Sequence, residues 1–209
     1  GSFYVCDSED AAIHRVSDRD GRLIESLRLT EDILRPVAVA YDAADGGALY
    51  VVDAVAHNIK VLGPRGTVRG FIGRRGSAPG AFNFPCDIAL DKDMIWVVDA
   101  GNQRVQALTR SGQPILTLGR PGDAPGDLAL PKSVAMDGDG HVYVVDARFE
   151  NVQVFDRSGR LLLFFGEEGA APGEFWLPSG IFIDATNRIW ICDSYNRRIQ
   201  VFQYFKVPS

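Results

Sequence analysis

No segment of this 209-residue chain repeats its apolar residues with helical spacing, so the reading turns away from helical architectures. No apolar run approaches the roughly 18 residues that a membrane-spanning helix requires, and no basic-then-apolar leader opens the chain. Gly1-Ser2 looks like an added dipeptide, which leaves a removed signal peptide open. Cysteine is scarce: the three present are spread out with no C-x-x-C pair, so neither a zinc knuckle nor a redox pair is expected. A basic excess is also missing. The net charge of −5 argues against nonspecific binding to phosphate backbones or anionic membranes. There is no P-loop or dinucleotide fingerprint, and no cofactor is expected.

What is present is a repeat. Asp7, Asp53, Asp99, Asp146 and Asp193 recur at intervals of 46, 46, 47 and 47 residues, each after a short apolar run: YVC, YVV, WVV, YVV and WIC. Such a period with strand-like content in every unit marks one supersecondary module copied around an axis. Cys6 and Cys192 stand where other units carry Val52, Val98 and Val145, so they read as small core residues. At 46% apolar content, one domain with a substantial core is expected. Its units run approximately 3–36, 37–85, 86–131, 132–178 and 179–209.

Within one unit, strands are predicted over 133–137, 142–146, 151–155 and 161–165, separated by Gly/Asp/Ser turns. This is the signature of an antiparallel meander. Several strands are continuously apolar, as when sheets are covered on both faces. The third strand alternates, with Lys60, Gln106, Gln153 and Gln200 sharing one side. The architecture is an all-β β-propeller. A long connection, GRRGSAPGAFNFP (73–85), GRPGDAPGDLALP (119–131) and GEEGAAPGEFWLP (166–178), joins each fourth strand to the next first strand. The recurrent Phe82, Leu128 or Phe175 is read as its tether.

The segments Asp193-Ser194-Tyr195-Asn196-Arg197-Arg198-Ile199-Gln200 and Asp99-Ala100-Gly101-Asn102-Gln103-Arg104-Val105-Gln106 resemble the NHL repeat. The resemblance covers essentially the whole chain and implies a propeller, most often of six blades. Only these two units keep the full D-x-x-N-x-R; Ala12, Asn58 and Asn151 hold the arginine position elsewhere. Eighteen strands are counted, about four and a half blades, and missing N-terminal strands are inferred on the way to a six-bladed ring. The resemblance to exported bacterial NHL proteins favours an extracytoplasmic setting.

An aspartate ending one strand can pair with an arginine opening the next and satisfy the donors of the turn between them. Because active sites break symmetry, Asp7, Asp53, Asp99, Asp146 and Asp193, with Arg104 and Arg198, are assigned to structure and no catalytic residue is named. His14, His57 and His141 fall on a strand and on turns at opposite ends of the meander, so no metal site is expected from them. Asp137-Gly138-Asp139-Gly140 is read as a hairpin turn rather than a calcium loop.

Candidate ligand contacts are placed on the end of the sheets that carries the long loops and the turns after each aspartate. They are Arg74, Arg75 and Arg120, opposed by loop acids; Trp176, an aromatic where its counterparts are Asn83 and Ala129; and Tyr195 and Arg197. Asp87 and Lys132 are placed at the channel mouth. His57, Gln103, Phe149 and Glu150 also vary between units. The mixed charge suits a protein or peptide partner better than nucleic acid. The expectation is a non-enzymatic binding or scaffold propeller. The alternatives are a lyase or hydrolase working at the channel mouth, and a structural ring or homo-oligomer assembling through open blade edges.

Overall fold

The computed structural model describes residues 1–29 and 33–204. Among the described residues the fold is all-β apart from one 3₁₀ turn at Ala100–Asn102. The strands form five antiparallel sheets. The first holds β1 (Ser2–Asp7), β2 (Ala12–Ser17) and β3 (Leu23–Arg28). The second holds β4 (Pro36–Asp42), β5 (Ala48–Asp53), β6 (Asn58–Leu62) and β7 (Val68–Ile72). The third holds β8 (Pro85–Leu90), β9 (Met94–Asp99), β10 (Arg104–Thr109) and β11 (Pro114–Leu118). The fourth holds β12 (Pro131–Met136), β13 (Val142–Asp146), β14 (Asn151–Phe155) and β15 (Leu161–Phe165). The fifth holds β16 (Pro178–Ile183), β17 (Arg188–Asp193) and β18 (Arg198–Gln203). Each sheet follows chain order, a pure meander. The fold is a β-propeller, and its sheets carry three, four, four, four and three of the eighteen strands.

Two compact units make up the chain, residues 1–102 with 106–115, and residues 103–105 with 116–209. In the first, Ile13, Leu27, Leu49 and Val51 pack the first sheet on the second, and Tyr50, Val52, Ile59, Ile88, Ile95 and Val97 pack the second on the third. In the second unit, Tyr143, Val145, Val152, Ile189 and Ile191 join the fourth and fifth sheets. β5 and β13 are buried along their whole length, which explains their unbroken apolar sequence.

Each of the three long connections is pinned by its apolar residue. Phe82, Leu128 and Phe175 are fully buried, and each forms an isolated bridge with a residue seven positions earlier: Arg75, Pro121 and Glu168. A Cβ at Gly73 or Gly166 would collide with the ring of Phe82 or Phe175, and both glycines hold a left-handed backbone that disfavours larger residues. The loop glycine and its apolar tether are therefore one device. All three cysteines are free, and burial pushes the Cys6 thiol up to about 12.

Candidate functional site

The end of each sheet that carries the long connections is organised around the repeated aspartate. Asp53, Asp99, Asp146 and Asp193 are completely buried, and their oxygens accept backbone N–H groups from the segment entering the first strand of the same sheet. Asp7 has no such segment in the described residues; it is partly exposed, accepts the amides of Glu9 and Asp10, and lies 3.7 Å from His14 Nε2.

Two arrangements alternate. In the second and fourth sheets the carboxylate takes two consecutive entry amides: Leu34 and Arg35 at 2.7 and 3.2 Å for Asp53, Ala129 and Leu130 at 2.7 and 3.1 Å for Asp146. In the third and fifth sheets it takes one, Asn83 at 2.6 Å or Trp176 at 2.8 Å. The remaining capacity goes to side chains. Asn102 Nδ2 and Gln106 Nε2 reach Asp99 at 2.8 and 3.1 Å. Asn196, Arg198 and Gln200 reach Asp193 at 3.0, 2.7 and 3.1 Å. These are the two units with the full D-x-x-N-x-R. Hydrogen bonds to Trp176, Asn196 and Arg198 outweigh the desolvation of Asp193 and hold its carboxyl below the usual aspartate range.

Where the asparagine claims the carboxylate, the second entry amide turns to the preceding sheet. Phe84 and Leu177 adopt left-handed backbones, with φ of 46° and 47°. Their N–H groups donate to His57 Nδ1 at 2.9 Å and Glu150 Oε2 at 2.6 Å. Between them in sequence, Gln103 Nε2 donates to the carbonyl of Ala129 at 2.8 Å, with the peptide presented the other way round. His57, Gln103, Glu150 and Arg197 are all left-handed residues four positions after their aspartates. Variation in this column thus tracks whether a peptide offers its N–H or its C=O. Burial and the nearby Arg75 lower the pKa of His57, favouring the neutral ring that can accept; burial raises that of Glu150.

The strand-three glutamines form a second anchoring column that the alternation hid. Gln106 accepts from Gly80 N and donates to Ala81 O at 2.9 and 2.8 Å, and Gln153 and Gln200 repeat the pair with Gly126/Asp127 and Gly173/Glu174. Their fixed seven-residue offset from the aspartates was the available signal.

Of the expected contacts, Trp176 and Tyr195 come together. Their rings lie 5.5 Å apart at 48°, 49% and 61% exposed, and Tyr195 N donates to Trp176 O at 3.1 Å. Arg197 is exposed in the same turn, and Arg198, its neighbour, is engaged with Asp193 and three loop carbonyls. Arg74 and Arg75 are exposed on the first long loop. Arg120 pairs with Asp127 of its own loop at 2.9 Å, and Arg104 opens β10. Asp87 and Lys132 occupy different steps of their strands: Asp87 pairs in register with Val98, whereas Lys132 lies in the irregular step between Pro131 and Ser133. At the opposite end of the fourth sheet, Asp137, Asp139 and His141 lie close together. Asp137 there accepts the amides of Asp139 and His141, the His141 ring at 2.8 Å and the Tyr143 hydroxyl, the bonding of a closed turn. His14 on β2 lies between Ser26, 2.9 Å from its Nδ1, and Asp7, 3.7 Å from its Nε2.

Among known proteins, the DUF5128 family model, described as a 6-bladed beta-propeller, matches residues 131–205. No curated protein matches the chain in sequence. A streptogramin B lyase structure superposes on 99% of the chain with a TM-score of 0.67 at 16% identity. The chain spans 66% of that protein's length. The nidogen/laminin complex aligns with 97% of the chain and 78% of the matched one, with a TM-score of 0.71 at 18% identity. A structural genomics protein of unknown function from Bacteroides thetaiotaomicron aligns with 96% of the chain and 56% of its own, with a TM-score of 0.73 at 19% identity. At such identities the likeness speaks for architecture alone, and what it establishes is the β-propeller.

Proposed function

We propose that this is an NHL-type propeller that binds a protein or peptide partner through the end of its sheets carrying the long loops. One observation carries this: the buried aspartates, His57 and Glu150 there are engaged with the protein's own backbone, while an aromatic pair is displayed. Asp99, Asp146 and Asp193 are buried hydrogen-bond hubs, and His57 and Glu150 accept backbone amides. Trp176 and Tyr195 lie half out in solvent, locked to each other by a main-chain bond. A rigid exposed aromatic pair on an ordered scaffold is the form taken by binding anchors. Arg197, exposed in the turn that carries Tyr195, supplies a charge to its rim.

Panning a random peptide library on the purified chain tests the proposal. Enriched peptides should lose about tenfold or more in affinity on Trp176→Ala or Tyr195→Ala, the scale of an aromatic hot spot. Enrichment indifferent to both substitutions refutes it. A tightly held, stoichiometric zinc or calcium in the purified protein would instead turn the assignment to a lyase acting at the channel mouth. Homo-association is favoured by a separate observation. Phe3 and Val5 on β1, and Ile199 and Val201 on β18, are 48%, 42%, 55% and 48% exposed, whereas their counterparts Leu49, Val51, Ile59, Val105 and Val152 are fully buried.

A further inference from the structure

The fourth and fifth sheets differ at the residue that opens their third strand, Asn151 against Arg198, and a cavity lies beside Asn151. In the fifth sheet Arg198 fills the interior of its long loop. Its guanidinium donates to the carbonyls of Ala170 at 2.7 Å, Ala171 at 2.8 Å and Glu174 at 2.9 Å. Eight, seven and four residues before the strand-one proline, the fourth sheet's loop carries the same backbone positions at Asp123, Ala124 and Asp127. Gln153 there donates to Asp127 O at 2.7 Å, just as Gln200 does to Glu174 O. The arginine, however, is replaced by Asn151.

A cavity of about 210 Å³ remains, lined by Asp123, Ala124, Phe149, Asn151, Gln153 and Phe164. The Oδ1 atom of Asn151 is buried there without a hydrogen-bond partner. A buried acceptor left unmade is costly and calls for a donor. Asp123 adds an exposed carboxylate to the lining, and the rings of Phe149 and Phe164 complete an aromatic wall of the kind that suits a flat, weakly hydrated cation.

We propose that this cavity is a guanidinium-binding site that takes the side chain of an arginine from a peptide partner, in the place that Arg198 occupies within the fifth sheet. The inference rests on the loop-end binding reading and names the partner chemistry at a second point of that surface. A guanidinium spreads five donors over a rigid fork, whereas an ammonium is a compact, strongly hydrated point charge, so lysine is discriminated against.

The test is a two-dimensional amide NMR titration of the full chain with N-acetyl-arginine amide, alongside N-acetyl-lysine amide. Titration to about 50 mM covers the millimolar range expected of one isolated side chain. The arginine probe is expected to shift the Asn151 side-chain amide and the backbone amides of Ala124 and Gly126, saturably, while the lysine probe leaves them in place. Asn151→Arg, which supplies the group from within, should abolish the shifts and raise the melting temperature. Asp123→Asn and Phe149→Ala should each weaken binding severalfold and report even if Asn151→Arg does not fold. No shifts, equal shifts with lysine, or binding unchanged in these variants overturns the site. Peptides that still need Trp176 in that event would leave the loop-end reading intact. Probe binding together with peptides indifferent to Trp176 and Tyr195 would reverse that outcome.

Discussion

Single residues at the loop end act through donor–acceptor polarity, and this makes their pH behaviour predictable. His57 holds the Phe84 amide only as the neutral ring, and its pKa lies below the ordinary histidine value. The folded state then binds fewer protons than the unfolded one, so this contribution is intact above about pH 6.5 and lost as pH falls through the lowered value. His57→Gln, which keeps an acceptor, should flatten that part of a melting-temperature profile. Glu150 is shifted the other way, so the folded state holds its proton longer and stability declines as pH rises from the ordinary glutamate value to the raised one. Glu150→Gln should remove that decline while preserving an acceptor for Leu177; a steeper decline in the variant contradicts the assignment. Asp193 is costly to alter. Asp193→Ala strands the Trp176 amide, Asn196 and the partly buried Arg198, and should cost about 3 kcal/mol in chemical denaturation. Asp7→Ala, which loses two exposed local bonds, should cost under about 1 kcal/mol.

The unit of construction at the element scale is a long loop clamped at three points: an aspartate, a glutamine and an apolar plug. Asp99 holds the exit of the 73–85 loop, Gln106 its A-P-G turn, and Phe82 its middle. Gln106→Ala would remove the bonds to the Gly80 amide and the Ala81 carbonyl, costing about 1–3 kcal/mol and raising amide exchange locally around 78–82. Unchanged exchange there would show that the plug alone suffices. The plug and the loop lengths were legible from sequence, since Phe82, Leu128 and Phe175 recur as the same apolar type. The glutamine clamp was not, because alternation along a strand reports two sides without telling whether both are covered. In these sheets both are: Gln106 and Gln153 are buried beside the apolar face of the same strand.

For the whole molecule, the apolar columns exposed on the first and fifth sheets predict weak, concentration-dependent association. Sedimentation velocity should show it, and Ile199→Lys with Val201→Lys should suppress it; a concentration-independent monomer removes the basis for a homo-oligomer. The sequence by itself determined the period, the eighteen strands, the five sheets and the end that bears the long loops. Those follow from local chemistry: strand-length apolar runs, turn residues and a fixed aspartate spacing read the same in every copy. Tertiary structure alone decided which polar side chains are spent on neighbouring backbone and which face solvent. His57, Gln103 and Glu150 share one column with different chemistries because each answers a peptide some 26 or 27 residues away. The space beside Asn151 belongs to the same class: nothing marks an asparagine as a vacancy until a sister sheet shows an arginine filling the equivalent place.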